Sequence, residues 1–289
     1  MNAKFKTIQV DPISPALGAE IGNVDIARGI NDEQFAELRK AYIDYAVIFL
    51  RDQDITPQQH IAFAERWGRI NVNRFFQAVE THPLIAEVRK EADQQANIGS
   101  AWHTDHSYDQ VLAMGSILYA REVPSVGGDT LFASMYAAYD ALSDGLKQML
   151  STLNAEHSSR HSFGEEAYSE SYREDLAGRL GNATAATQDS LHPVIIRHPL
   201  SGRPALYVNS EFTVKFEGWS KEESQPLLDY LYAHARQNEF TCRFHWCRGS
   251  IAIWDNRATQ HCALNDYHGE RRLMHRITID GAEIEAAAA

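Results

Sequence analysis

From about residue 85 onward, the chain consists mainly of short apolar segments separated by glycine, proline, asparagine and aspartate. Short segments with turn-forming residues between them are typical of β-strands. Many such strands in one chain favour a β-sandwich or a jelly roll. The segments predicted as strands are residues 116–120, 129–133, 194–197, 205–208, 241–246, 251–254 and 274–279.

Helices are predicted beside these strands, two of them in the first part of the chain. Asn31 and Thr56 are followed three residues later by glutamine, which is typical of a helix start. Residues 46–50, which lie between the two helices, predict a buried strand. Two later helices are expected, one after Ser143 and one from Ser220 to about Ala235. The predicted fold class is therefore mainly β with flanking helices.

The chain is interpreted as one domain, residues 1–289. Sandwich and barrel domains often reach this length, and neither an internal repeat nor a flexible linker divides the sequence. Residues 161–190 are rich in small and polar residues without periodicity, which is typical of a lid or a flexible insertion. The alanine-rich end, residues 284–289, is expected to be frayed.

Composition excludes several classes of function. The net charge of -12 argues against a nucleic-acid partner. No apolar run is long enough to cross a membrane, and residues 1–12 lack the pattern of a signal peptide. The odd number of cysteines and their spacing indicate reduced thiols in a cytoplasmic protein. The three cysteines are Cys242, Cys247 and Cys262.

The first candidate for metal binding is a histidine and an aspartate that lie two residues apart. In an extended segment such residues point to the same face, so His103 and Asp105 can reach one metal ion while Thr104 points away. A second candidate, His261, follows the strand predicted at 251–254. Two histidines and one carboxylate form the facial site of iron(II) oxygenases, which leaves adjacent coordination positions open.

A His-x-Asp tripeptide is a weak signal by itself. The alternative is a histidine and an aspartate that hydrogen-bond to each other or to loop backbone. A zinc hydrolase can also use two histidines and a carboxylate. The surrounding sequence is needed to choose between these interpretations.

That surrounding sequence resembles the taurine dioxygenase and 2,4-dichlorophenoxyacetate dioxygenase family over nearly the whole chain. Several motifs in the right order are more specific than any one of them. The matching segments are FLRDQ at 49–53, WHTD at 102–105, GGDT at 127–130, LHP at 191–193, WDNRATQH at 254–261 and RRLMHR at 271–276.

The resemblance implies a double-stranded β-helix (jelly-roll) core with helices packed outside it. It implies that His103, Asp105 and His261 hold Fe(II), and that 2-oxoglutarate and O₂ are co-substrates. It further implies that Thr130 and Arg272 bind 2-oxoglutarate. A zinc hydrolase has no need for this last pair.

Arginine suits the distal carboxylate of 2-oxoglutarate, because it is always charged and presents forked donors. Alternation along the strand favours one of Arg271 and Arg272 facing inward, whereas the other interpretation is a solvated surface pair. Arg276 lies on the same strand face as Arg272 by parity. The resemblance implies that Arg276 binds the acidic group of the prime substrate, the compound that is hydroxylated. The alternative is a structural salt bridge with Asp255 or a similar carboxylate.

Three candidate substrate-binding positions depart from the taurine pattern. Where taurine-specific members have a histidine, a tyrosine and an asparagine, this chain has Asn73, Phe76 and Gly99. The pocket is therefore expected to be roomier and more apolar, and the amine of taurine would lack partners. An apolar wall suits an alkyl or aryl tail, and the phenylalanines that could form it are Phe75, Phe76, Phe163 and Phe212.

The expected function is hydroxylation, or cleavage that follows hydroxylation, of a small organic anion. An aryloxyalkanoate, an alkyl sulfate or a non-taurine sulfonate fits this description. The alternatives are a taurine dioxygenase proper and a non-catalytic jelly-roll protein that binds an anion. His106, Tyr108 and Asp109 either line the pocket or hydrogen-bond behind the metal ligands. The resemblance also implies a homo-oligomer, a dimer or a tetramer.

Overall fold

The structure is a computed structural model that describes residues 5–165, 167 and 174–287. The helices are Asp32–Tyr45 (α1), Pro57–Glu65 (α2), Met135–Asp140 (α3), Asp144–Leu150 (α4), Arg160–Phe163 (α5) and Lys221–Ala235 (α6), with 3-10 turns at Ala183–Ala185 and Asn238–Phe240. The strands are Gln9–Pro12 (β1), Ala19–Gly22 (β2), Val47–Leu50 (β3), Ile70–Asn71 (β4), Ala78–Val79 (β5), His82–Lys90 (β6), Ala113–Glu122 (β7), Thr130–Ser134 (β8), Asn154–Ser158 (β9), Asp189–Pro193 (β10), Ile195–Arg197 (β11), Pro204–Leu206 (β12), Thr213–Phe216 (β13), Thr241–Phe244 (β14), Ile251–Asp255 (β15), Thr259–Ala263 (β16), Arg272–Asp280 (β17) and Glu285–Ala286 (β18).

The strands form a large sheet and several smaller ones. The large sheet has nine strands in the order β1-β2-β3-β15-β7-β17-β6-β5, with β4 beside β17. Its pairs are antiparallel except for β2 with β3. A three-stranded sheet, β14-β8-β16, packs against it, and two more three-stranded sheets have the orders β10-β9-β13 and β12-β11-β18.

Aromatic side chains fill the space between the large sheet and the β14-β8-β16 sheet. Phe49 of β3 stacks on Phe244 of β14 at 4.0 Å between ring centroids, and it contacts Phe132 of β8 edge-on at 5.6 Å. Trp254 and Met274 of the large sheet join the same buried cluster. Two sheets with one shared core and helices outside are the jelly-roll architecture that the sequence predicts, and the predicted fold class is confirmed.

The predicted helix starts are confirmed by reciprocal capping boxes at Asn31, Thr56 and Ser220. α1 buries its apolar face against the large sheet, and it ends at Ala46 with a left-handed φ of 62°. Because Ala46 is left-handed, the strand predicted over residues 46–50 begins one residue later, at Val47. The short helices α3 and α5 were not predicted, since neither carries a full turn-by-turn apolar pattern.

The C-terminal residues differ from the frayed tail expected at 284–289. Glu285–Ala286 pairs with Arg197 and Ile196 at the edge of β11, and the N–H of Ala287 donates to the carbonyl of Ile195 at 3.0 Å. An exposed sheet edge offers unpaired backbone groups to any extended segment. Because only backbone groups form this pairing, it could not be predicted from the alanine-rich sequence. Residues 288–289 lie outside the described residues.

The segment predicted as a lid or flexible insertion, residues 161–190, is described only in part, because residues 166 and 168–173 lie outside the described residues. Its described part contains most of α5 and several buried residues, among them Leu176 and Arg179. The Arg179 guanidinium donates to the carbonyls of Arg89 and Ala96. The segment is thus fastened to the body of the domain at this point.

Two expectations from composition concern thiols and membranes. The three cysteines are free thiols, of which Cys242 and Cys262 are buried and Cys247 is exposed. Within the described ranges, no helix combines the length and the apolar character that crossing a membrane requires.

His60 in α2 makes the stability of the fold dependent on pH. It is 1% exposed, and burial lowers its pKa to about 3. In the unfolded chain the histidine pKa is about 6.5. As the pH falls below that value, the unfolded state binds a proton that the folded state does not bind. The free energy of unfolding therefore decreases between these two pKa values.

We expect His60→Leu to lose less stability than the wild type between about pH 7 and about pH 4, by roughly 3 kcal/mol. Urea unfolding at the two pH values measures the difference within each protein, so a change in absolute stability cancels. The control is His268→Leu, the same substitution at an exposed histidine. Identical pH dependence in the wild type and His60→Leu would contradict this interpretation.

Candidate metal centre and substrate pocket

Two backbone hydrogen bonds bring the candidate histidines together. The N–H of His103 donates to the carbonyl of His261 at 3.0 Å, and the N–H of His261 donates back at 2.8 Å. His261 belongs to β16, but the segment around His103 contributes only this single bridge. The extended strand expected at His103 and Asp105 is therefore reduced to one residue pair, because the chain turns at Asp105 and reaches a left-handed φ of 59° at His106.

The sequence-predicted ligands meet at one buried point. Ligand atoms of His103, Asp105 and His261 all lie within 4.8 Å of one another. The Nε2 atom of His103 is 3.6 Å from Oδ1 of Asp105. Thr104 points away, as expected, and its hydroxyl donates to the carbonyl of Thr259 at 2.8 Å.

Hydrogen bonds behind the ligands fix which atoms face the centre. The Nδ1 atom of His103 lies 2.8 Å from the carbonyl of Ala101. A carbonyl only accepts, so Nδ1 carries the proton and Nε2 keeps its lone pair for a metal. The hydroxyl of Ser116 donates to Oδ2 of Asp105 at 2.8 Å, which leaves Oδ1 on the side of the histidines.

The electrostatics keep Asp105 and His261 in metal-binding form. For His103, burial acts to lower the pKa, but the hydrogen bond and charge of Asp105 outweigh it and raise this pKa. Burial acts to raise the pKa of Asp105, but Arg276 and the two histidines outweigh it and hold this pKa well below its ordinary value. Burial, followed by the charge of His103, lowers the pKa of His261 well below the ordinary value. An ionised carboxylate and a neutral imidazole are the forms that bind metal ions. The donor set fits iron(II) in a two-histidine, one-carboxylate site.

Arg272 is a buried cation that forms no salt bridge within the described residues. It is 4% exposed, and its Nε and Nη2 atoms have no hydrogen-bond partner within the described part of the chain. Burial lowers its pKa. By contrast, Arg271 forms salt bridges with Glu91 and Glu122 at the surface. Arg272 thus faces inward and Arg271 faces outward, as strand alternation predicts for one residue of each pair. Arg272 offers forked donors to an anionic ligand.

Thr130 lines the same pocket as Arg272. Its Oγ1 accepts a hydrogen bond from the indole N–H of Trp246 at 2.9 Å. The hydroxyl hydrogen of Thr130 is therefore available to a further acceptor. Arg272 and Thr130 together can hold one carboxylate beside the metal ligands.

Arg276 lines the same cavity and lies beside the candidate metal ligand Asp105. Its Nη1 donates to Oδ1 of Asp105 at 3.1 Å, and its guanidinium lies over the ring of Phe76 at 4.3 Å. The salt bridge given as the alternative is therefore formed with Asp105 and not with Asp255, which pairs with Arg257 and His198. The Nε atom of Arg276 is buried and has no partner within the described residues, so the side chain retains donors for a ligand.

A cavity of about 180 Å³ connects these groups. All nine candidate site residues line it, including Asn73, Phe76 and Gly99. Its apolar wall includes Phe163 and Phe212, as expected, whereas Phe75 packs behind them and stacks on Phe163 at 4.3 Å between ring centroids. The cavity also has lining residues that were not predicted, among them Leu176, Leu180 and Glu211. These come from segments with no recognisable motif.

The backbone conformation at position 99 explains why a glycine is present there, and the sequence did not reveal this. Its φ is +82°, a left-handed conformation that favours glycine. A Cβ atom there would approach Cε1 of His103 at 3.2 Å. The glycine therefore does more than enlarge the pocket, because it lets the chain pass close to a candidate metal ligand.

Comparison with known proteins agrees with this geometry. The family described as "Taurine catabolism dioxygenase TauD, TfdA family" matches residues 9–278. An alpha-ketoglutarate-dependent sulfate ester dioxygenase of Pseudomonas putida is 31% identical, with 95% of this chain and 90% of that protein covered. An (S)-phenoxypropionate/alpha-ketoglutarate-dioxygenase of Sphingobium herbicidovorans is also 31% identical, with 94% of each chain covered.

The fold is shared with a solved taurine dioxygenase from Burkholderia xenovorans, at a TM-score of 0.78 and 30% identity, with 98% of this chain and 97% of that chain covered. The chain therefore belongs to the TauD/TfdA family. It is an Fe(II)- and 2-oxoglutarate-dependent dioxygenase, an oxidoreductase that consumes O₂.

We expect Arg272→Ala to weaken binding of 2-oxoglutarate by roughly 100-fold, because a buried charge-assisted pair is lost. Calorimetric titration of the Mn(II)-loaded protein with 2-oxoglutarate measures this directly. The matched control is Arg271→Ala, the neighbouring arginine with surface salt bridges, which should bind as the wild type does. Unchanged affinity in Arg272→Ala would show that another group holds the distal carboxylate.

Proposed function

We propose that this dioxygenase hydroxylates a small organic anion whose acidic group is bound by Arg276. The single observation that carries this proposal is the position of that arginine. It contacts the candidate ligand Asp105, lines the cavity, and has a buried Nε atom without a hydrogen-bond partner among the described residues. An anion held there places its carbon chain beside the metal ligands.

When bound, iron(II) and 2-oxoglutarate would supply the oxidising chemistry, in which one oxygen atom of O₂ is inserted into a C–H bond of the substrate and the other converts 2-oxoglutarate to succinate with loss of CO₂. His103, Asp105 and His261 would hold the metal. Arg272 and Thr130 orient the co-substrate. When the hydroxylated carbon also carries an oxygen or sulfur leaving group, the product breaks down and the substrate is cleaved.

Apolar side chains support an alkyl or aryl tail on the substrate. Phe163 and Phe212 line the cavity, and their rings lie 6.0 Å apart. Such walls exclude water and favour an apolar group. Aryloxyalkanoates, alkyl sulfates and sulfonates other than taurine match an arginine followed by an apolar wall. The relatives named for sulfate esters and phenoxypropionate support this range.

Taurine is a poorer match for this cavity. Its amine requires acceptors, and the described residues at the three departing positions are Asn73, Phe76 and Gly99. A phenylalanine and a glycine supply no side-chain acceptor. A non-catalytic anion-binding protein is also a poor match, because it has no use for three buried metal ligands.

The remaining proposals concern partners and location. We propose a homo-oligomer, a dimer or a tetramer, that acts in the cytoplasm on a small-molecule substrate. The net charge of -12 disfavours nucleic acid as a partner. The segment at 161–190 is proposed as a lid, since Phe163, Leu176 and Leu180 contribute to the cavity wall.

We expect purified protein with iron(II), ascorbate and 2-oxoglutarate to form succinate when a substrate from a panel of alkyl sulfates, sulfonates and aryloxyalkanoates is added. His103→Ala should abolish this formation. Arg276→Ala should lower kcat/KM for the substrate by about 30-fold or more, because its charged partner is lost, while substrate-independent succinate formation persists.

Arg203→Ala removes an arginine that pairs with Asp140 at the surface, and it should behave as the wild type. Absence of succinate above background with every compound, despite bound iron, would refute the proposed substrate class. Equal kcat/KM in the wild type and Arg276→Ala would refute the role of Arg276.

A further inference from the structure

One wall of the cavity carries polar side chains that the proposed function does not use. His106 and Asn73 both line the cavity, and Nε2 of His106 lies 3.3 Å from Nδ2 of Asn73. Behind them, Nδ1 of His106 lies 3.0 Å from Oδ2 of Asp109, and the Arg74 guanidinium donates to Oδ1 of Asp109. Arg74, Asp109 and His106 thus form a continuous hydrogen-bonded chain, here called the relay, that ends at Asn73.

Elementary chemistry fixes the direction of every hydrogen bond in the relay. The Oδ1 atom of Asn73 accepts the backbone N–H groups of Phe75 and Phe76, each at 2.9 Å. Backbone N–H groups only donate, so the amide oxygen must face them and the NH₂ group must face His106. Nε2 of His106 therefore accepts, and Nδ1 carries the proton that it donates to the Asp109 carboxylate.

The side-chain NH₂ group of Asn73 has one N–H that makes no hydrogen bond among the described residues. One N–H of Asn73 donates to His106, and the other has no acceptor within the described part of the chain. Phe76 links this amide to Arg276, since its N–H orients Asn73 and its ring lies under the Arg276 guanidinium at 4.3 Å. Asn73 and Arg276 are therefore two donors that line the same cavity and are joined through Phe76.

We propose that the relay positions the Asn73 amide as a third donor for the anionic group of the prime substrate, so that the pocket prefers a sulfo group to a carboxylate. This inference rests on the proposed function of Arg276. A carboxylate has two oxygens, which the Nε and Nη2 donors of one arginine satisfy. A sulfate ester or sulfonate has a third terminal oxygen, which accepts the N–H of Asn73.

The relay residues are positioning residues in this account, because they act through Asn73. His106 also occupies a left-handed conformation with φ of 59°, in which asparagine is tolerated better than most residues. His106→Asn therefore removes the imidazole with little added strain. Asp109→Asn removes the carboxylate that fixes the tautomer, and Asn73→Ala removes the donor itself.

The test compares hexyl sulfate with heptanoate, two anions with tails of similar length. Calorimetry measures the affinity of each for protein loaded with Mn(II) and N-oxalylglycine, an unreactive analogue of 2-oxoglutarate. The quantity of interest is the ratio of the two affinities within each variant, so that a general loss of affinity cancels. The matched control is Asp140→Asn, which alters another Arg–Asp pair, with Arg203, remote from the cavity.

The wild type should bind the sulfate about ten-fold more tightly than the carboxylate, the value of one additional charge-assisted hydrogen bond. The ratio should fall toward one in Asn73→Ala, His106→Asn and Asp109→Asn, and it should stay unchanged in Asp140→Asn. The double variant Asn73→Ala/His106→Asn should lose no more selectivity than Asn73→Ala alone, because His106 acts through Asn73.

Equal affinities in the wild type would overturn the inference, as would an unchanged ratio in any of the three single variants. A further, additive loss of selectivity in the double variant would show that His106 does not act through Asn73. Succinate formation with carboxylates and sulfates at equal efficiency would be consistent with the proposed function, but it would refute the role of Asn73 as a third donor.

Discussion

The metal centre depends on the pair of backbone hydrogen bonds between His103 and His261. These bonds attach an irregular segment to β16, a strand whose own position is set by pairing with β8. The same pairing places Thr130, the first residue of β8, beside the cavity. On the opposite sheet, β17 carries Arg272 and Arg276 on one face and pairs with β7, which carries Ser116 behind Asp105. Residues from distant parts of the sequence thus meet because sheet register fixes each of them.

The charged residues of the site are buried, so each of them requires a compensating partner. A buried charge is costly unless it is paired, and Asp105 is compensated by Arg276 and the histidines. Arg272 is 4% exposed, yet its Nε and Nη2 atoms have no hydrogen-bond partner within the described residues. An unpaired buried cation destabilises the fold, and its presence is explained when an anionic ligand completes the site. Both arginines line the cavity, and we propose that Arg276 binds the prime substrate and Arg272 the co-substrate.

The sequence predicted the features that depend on local patterns. Capping boxes located the helix starts at Asn31, Thr56 and Ser220, and strand alternation predicted that one of Arg271 and Arg272 faces inward. Family resemblance indicated Arg272 as the inward one and pointed to the candidate metal ligands. Features that depend on long-range contacts were not predictable in the same way. The single bridge at His103, the left-handed Gly99 and the strand Glu285–Ala286 arise from partners elsewhere in the chain. The tautomer of His106 likewise depends on Asn73 and Asp109, which come from two separate loops.

The central claim is that one buried site binds the metal and 2-oxoglutarate together. The most direct measurement is a crystal structure of the protein with Mn(II) and N-oxalylglycine. We expect the metal to be coordinated by His103, Asp105 and His261, and the distal carboxylate of the analogue to contact Arg272 and Thr130. A metal held by other residues, or an analogue whose distal carboxylate lies away from Arg272, would contradict the account.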